Sequence, residues 1–180
     1  MLMIWNLPGF RYDEIREAVA DVIEDYGIIQ YPFSLFKFIR NLGIRLVPFS
    51  MLSQDARNFL LAESIDGYTK RPCSFNPLCT SIFYDETLSY ERIRFTLAHE
   101  LGHIFLEHGD TGEKIFEDEA NFFANYLLGP NPIVMRDSSN NAEQIMSDFY
   151  VSYTCACAIR DRTVNRSHCG PMLLDYERRI

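Results

Sequence analysis

Three of the chain's four histidines fall in the single stretch RFTLAHELGHIFLEHGD, residues 94–110. His99 and His103 are four residues apart, a spacing that puts two side chains on one face of a helix with Cβ atoms about 5–6 Å apart. Two imidazoles so placed can converge on one metal ion at about 2.0–2.1 Å. Glu100 follows His99 directly, so it projects beside such an ion without ligating it. That is where a general base for a metal-activated water belongs. The alternative is an ordinary helix with two partly exposed histidines and a solvated glutamate, because a five-residue H-E-x-x-H pattern also arises by chance.

A hydrolytic zinc site of this kind needs a third protein ligand and an open position. His108 is poorly placed for it. The extended three-histidine pattern calls for glycine and histidine at later positions that hold Leu106 and Gly109 here. His108 is instead expected to be a polar residue at the helix end, interacting with the terminal carbonyls. The next helical stretch, FEDEANFFANYLLGP, supplies Glu117, Asp118 and Glu119. Glu117 shares a helix face with Ala120, Asn121 and Ala124, at i+3, i+4 and i+7. Glu117 and Glu119 lie about 200° apart around a helix, so only one can face the metal. The small alanines favour close packing against the histidine helix, and Asn121 is placed to hydrogen-bond the outer nitrogen of a ligating histidine. An acidic helix start favoured by the macrodipole is the competing account of the same carboxylates. Zinc suits two imidazoles and a carboxylate. No motif marks the oxyanion donor; Tyr84, Tyr90, Tyr126 and His168 are the candidates.

The elements that position these residues can be read from periodicity and punctuation. RYDEIREAVADVIEDYG is a helix stopped by Gly27, and YPFSLFKFIRNLG a second, opened near Pro32 or Ser34 and closed by Gly43. IRLVPF is a strand limited by Pro48. SQDARNFLLAES is a short helix. GYTKRP and TSIFYDE are strands around a Pro- and Asn-containing loop. The histidine helix is predicted from about Ser89 to His108, with Gly109 as its stop. Another helix runs from about Lys114 to Leu128, ending before Pro130. One or two more lie in NAEQIMSDFYVSYTCACAIRDR. The class is α+β: a mainly helical domain with a small sheet, expected to be antiparallel, ahead of the histidine helix. Phe33, Phe36, Phe38, Phe122, Phe123 and Tyr126 are expected in the core.

Bulk properties narrow the function. The 180 residues suit one domain, taken as 1–180, and 47% hydrophobic with 23% charged residues is ordinary for a globular chain. The net charge of −8 disfavours direct nucleic-acid binding. The densest basic stretch, IRDRTVNR, is expected to be the solvated end of a helix. The opening residues lack the charged region and apolar run of a signal peptide, and no stretch is long enough to span a bilayer. A cytoplasmic location without membrane attachment is therefore expected. The five cysteines (Cys73, Cys79, Cys155, Cys157 and Cys169) have no familiar metal or disulfide spacing and are expected to be free thiols.

The two segments together resemble the ImmA/IrrE family of zinc metallopeptidases. RIRFTLAHELGHIFLEH is similar to its active-site helix, and EDEANFFANYLLGP to its third-ligand helix, with Gly129 where methionine is common. Weaker similarity extends through YPFSLFKFIRNLGIRL and FYVSYTCACAIRDR, so the resemblance covers roughly residues 30–165. It implies a gluzincin-like fold, with His99, His103 and Glu117 as zinc ligands and Glu100 as base. It also implies a protein substrate: a helix-turn-helix repressor, often encoded nearby on a mobile element or in a stress-response system, which is cleaved or otherwise inactivated. A zinc-fold module that sequesters a repressor without cutting it, or a toxin-like protease with broader targets, are the other functions compatible with these residues.

Overall fold

The structure, a computed structural model, describes residues 5–63, 65–71, 80–109, 113–137, 141–168 and 174–180. Cys73, Cys79, Cys169 and the loop between the second and third strands lie outside the described residues, as does the side chain of His168.

The chain opens with α1 (Gly9–Asp25), whose Ile15, Val19, Val22 and Ile23 form the buried stripe expected at helical spacing. α2 (Leu35–Asn41) begins at Ser34, whose hydroxyl accepts from the Lys37 amide. β1 (Arg45–Pro48) and α3 (Gln54–Ala62), capped by Ser53, follow. β2 (Gly67–Lys70) and β3 (Ser81–Tyr84) complete the sheet. Next come α4 (Tyr90–Phe105), capped by Ser89, and α5 (Lys114–Leu128). α6 (Asn131–Asp137), α7 (Ala142–Phe149) and α8 (Tyr153–His168) end the helical part. The α+β class holds. α6 lies between the helices read from the sequence; its Pro132 is tolerated in the first turn, where the missing N–H has no intrahelical partner to lose.

The sheet corrects the antiparallel expectation. Its order is β1-β3-β2, with β2 antiparallel to β3 but β1 parallel to it, in the register Arg45↔Ser81 and Val47↔Phe83. A parallel pair needs a crossover that returns the chain to the same end; α3 and β2 together supply it.

α5 is the central helix. Ala120, Phe122, Phe123, Ala124, Tyr126, Leu127 and Leu128 are all buried, against α4 on one side and α1 and α8 on others. Gly102 sets the approach to α4: a Cβ there would stand 2.9 Å from Ala120 Cα. Gly67 does the same for β2, where a Cβ would meet Thr96 of α4 at 2.5 Å.

α4 ends earlier than predicted, at Phe105, and Gly109 is not its stop. Glu107 takes the left-handed conformation (φ 55°) that glycine usually fills, with Glu107 N–H donating to Ile104 O and His108 N–H to His103 O. The chain therefore reverses one residue before His108 and folds that side chain back beneath the helix.

The basic stretch is not a solvated end. Arg162 is buried, donating to Gly129 O at 2.6 Å and to the Asn131 and Asn125 side chains, while Arg166 pairs with Glu177 at 2.6 Å. Cys155 and Cys157 are free thiols. Phe38, Phe122, Phe123 and Tyr126 are buried, and Phe33 and Phe36 pack against the core.

Candidate metal centre and its cleft

α4 carries His99 and His103 one turn apart, with ring centroids 4.7 Å apart and Nε2 atoms 3.0 Å apart. α5, held close by the Gly102–Ala120 contact, brings Glu117 opposite them. Its carboxylate oxygens lie 3.3 Å from His99 Nε2 and 3.5 Å from His103 Nε2. One ligand atom from each of the three residues falls within 4.8 Å of the others, so the trio can hold a metal ion.

The outer nitrogens of both rings are engaged. His99 Nδ1 lies 3.0 Å from Asn121 Oδ1. An amide oxygen only accepts, so Nδ1 carries a proton, and a neutral His99 ring presents its Nε2 lone pair to the trio. His103 Nδ1 lies 3.0 Å from His108 Nδ1, and His108 Nε2 lies 2.8 Å from Glu119 Oε2. Both Nε2 lone pairs thus point into one small space. Only a positive charge there, a proton or a metal ion, makes that arrangement favourable.

The electrostatics agree. Burial lowers the pKa of His99, but Glu117 and Glu100 outweigh it and hold it above the ordinary histidine value. The hydrogen bond with His99 holds Glu117 below the usual carboxylate range against its own burial. Burial and the neighbouring His99 push His103 down to about 4, which keeps its ring neutral, as a ligand must be.

Glu100 is only 5% exposed. Its Oε2 accepts from Thr69 Oγ1 of β2 at 2.7 Å. Burial raises its pKa, with His99 and Thr69 pulling the other way. A carboxylate raised in this manner is a stronger proton acceptor at neutral pH. Glu100, His99, His103 and Glu117 open on a cleft of about 410 Å³ whose other wall is Gly67, Tyr68 and Thr69 of β2, followed by Arg71, with Phe116 at the base of α5. Arg71 also donates to His103 O at 2.7 Å.

The structure brings together His99, Glu100, His103, Glu117 and Asn121. The proposed oxyanion donors are elsewhere: Tyr84 packs on Phe36, Tyr90 is half-exposed beside Tyr150, and Tyr126 is sealed in the core. The cleft's own polar groups, Tyr68, Thr69 and Arg71, carry no motif that a sequence reading could have picked out. The His108 ring turns not to the terminal carbonyls of α4 but to His103 and Glu119, and it is buried, with burial lowering its pKa against the pull of Glu119. Glu119, which faces away from Glu117, is held below its ordinary pKa first by Arg11, against burial, and then by His108.

No match to a curated protein was found. The family model described as the IrrE N-terminal-like domain, peptidase M78, matches residues 42–158, about two thirds of the chain, and that span contains α4, α5 and every residue of the metal-holding trio. With the H-E-x-x-H helix and the carboxylate helix packed in this geometry inside the matched span, the chain belongs to the peptidase M78 (IrrE N-terminal-like) family, a family of metallopeptidases.

Proposed function

We propose that the chain is a zinc-dependent endopeptidase that cuts, and so inactivates, a helix-turn-helix repressor. The observation that carries the peptidase chemistry is the juxtaposition of three convergent ligand atoms with a buried, Thr69-bonded Glu100 in one cleft. His99 Nε2, His103 Nε2 and the Glu117 carboxylate would hold the ion. Zinc in such a donor set supplies Lewis acidity and lowers the pKa of water toward neutrality. Glu100 accepts the proton of the attacking water on its carboxylate and returns it to the departing amine. Thr69 fixes the carboxylate's orientation. Arg71 is the polar side chain of the cleft available to steady the substrate carbonyl.

The substrate is an extended segment. β2 is the terminal strand in the order β1-β3-β2 among the described residues, and its Gly67, Tyr68 and Thr69 line the cleft. A linker or locally unfolded stretch of the target fits such a site better than a packed helix does. The choice of a repressor rests on the resemblance to the ImmA/IrrE family. The net charge of −8 is consistent with it, since an acidic surface speeds encounter with a basic DNA-binding protein.

Glu100→Gln tests the reading. The variant should retain wild-type zinc by elemental analysis, while co-expression with a neighbouring regulator should lack the discrete fragment expected with the intact chain. Cutting at the wild-type rate would remove Glu100 from the mechanism. Inactivation of the regulator by both proteins without any fragment would make the chain a sequestering module.

A further inference from the structure

Two residues of the cluster around the metal-holding trio are nearly as buried as the core yet have no part in the chemistry above. His108 is 4% exposed and Glu119 5%. The His108 ring is stacked on Phe116, with centroids 4.6 Å apart and planes 15° apart, so its orientation is fixed. Glu119 is fixed in turn by a fork: Arg11 Nε donates to Oε1 and Arg11 Nη2 to Oε2, both at 2.7 Å.

The protons along this line follow from the acceptors. The Glu119 carboxylate only accepts, so His108 Nε2 donates to it. A neutral His108 then has a lone pair on Nδ1. That lone pair faces His103 Nδ1 at 3.0 Å, so His103 Nδ1 donates. The proton of His103 is thereby held on the nitrogen away from the trio, and His103 Nε2 presents its lone pair toward His99 and Glu117. Asn121 does the same for His99 in one step. Glu119 sits behind His108, and the intervening ring transmits its preference. Both nitrogens of His108 are used in this way, so His108 is not a further ligand.

We infer that His108, anchored by Glu119 and Arg11, is a positioning residue that sets the tautomer and ring orientation of His103 and so tunes metal affinity. The inference rests on the reading of His103 as a metal ligand. It has a consequence for the fold: Arg11 belongs to α1, outside the family-matched residues 42–158, so a helix not included in that match takes part in building the site. Partners that orient a ligating histidine typically contribute 10- to 100-fold in metal affinity.

The test uses the full chain and zinc alone. Zinc affinity is measured by competition with a chromophoric chelator, and the protonated ring nitrogen of each histidine is read by nitrogen-proton correlation NMR after chelator treatment. His108→Phe keeps the ring stacked on Phe116 but removes both nitrogens. It should weaken zinc binding by about 10- to 100-fold and let the His103 proton distribute between Nδ1 and Nε2, while His99 keeps its proton on Nδ1. Arg11→Met and Glu119→Gln leave His108 in place, serve if His108→Phe does not fold, and should weaken zinc binding in the same direction by smaller factors. Unchanged zinc affinity together with an unchanged His103 tautomer in any folded variant overturns the inference. Failure of the metal reading itself looks different: wild type would bind zinc no better than His99→Ala.

Discussion

The closeness of α4 and α5 is the mechanical basis of the site, and Gly102→Ala perturbs it directly. The added Cβ would stand 2.9 Å from Ala120 Cα, 3.1 Å from Ala120 O and 3.2 Å from Phe123 Cβ. Ordinary carbon contacts begin near 3.5 Å, so α5 must withdraw by about 0.5–1 Å. Two effects oppose each other in stability. Alanine is a better helix former than glycine by about 0.8–1.0 kcal/mol, while overpacking a close contact costs about 1–3 kcal/mol. The net loss is roughly 0–2 kcal/mol, a fall in Tm of up to about 8 °C for a chain of this size. The effect on metal is larger in relative terms. Glu117 lies one turn before Ala120, so its carboxylate moves with the helix. Metal–ligand distances tolerate only about 0.2 Å, and zinc affinity should fall at least about 10-fold, the size expected when a ligand's support is disturbed. Chelator competition and thermal melts of the chelator-treated protein measure the two effects separately. Wild-type zinc affinity combined with a Tm at or above wild type would show that this contact does not set the position of Glu117.

Other expectations follow from the same geometry. Thr69→Val removes a hydrogen bond to the charged form of Glu100, worth about 1.5–3 kcal/mol. The Glu100 pKa rises further, because a bond that favours its charged form is gone, and the acid limb of the kcat/KM profile for peptide cleavage moves to higher pH; an unmoved limb would separate Thr69 from the base. Zinc should stabilise the fold by linkage: at free zinc about a thousandfold above Kd the gain is about 4 kcal/mol, or about 8–16 °C in Tm, reversed by excess chelator. Glu177 is buried, yet Arg166 and the Leu174 amide hold its pKa below the ordinary value. Its depressed pKa means that its contribution is present above the unfolded carboxylate pKa of about 4.3 and is lost as pH falls through the folded value. Glu177→Ala should therefore cost about 3 kcal/mol near pH 7, with the gap to wild type closing under acid, as followed by denaturant melts across pH.

What the sequence displays and what it hides at this site divide along a physical line. His99, Glu100 and His103 are legible because the i, i+4 relation lies within one helix and needs no tertiary knowledge. Glu117 and Asn121 are legible at one remove, since a second helix with alanines on the same face has a preferred side to turn inward. Thr69 is invisible: its place depends on the register of β2 against β3 and on the close seating of Gly67 against Thr96. The parallel pairing of β1 is invisible for a similar reason, because alternation fixes a strand's faces but not its direction. His108 is the most instructive failure. Gly109 offers the conformation that usually ends a helix, and a reading from propensity puts the stop there. The protein instead turns at Glu107, whose left-handed backbone costs a non-glycine residue about 1–3 kcal/mol. Ending α4 at Gly109 would leave His108 on the helix surface, out of reach of both His103 Nδ1 and Glu119. Ending it at Glu107 delivers His108 beneath the helix, where His103 and Glu119 hold its two ring nitrogens and Phe116 stacks on its ring. The local preference is overruled where His108 comes to lie between His103 and Glu119, and departures from a propensity rule are expected to fall at functional sites.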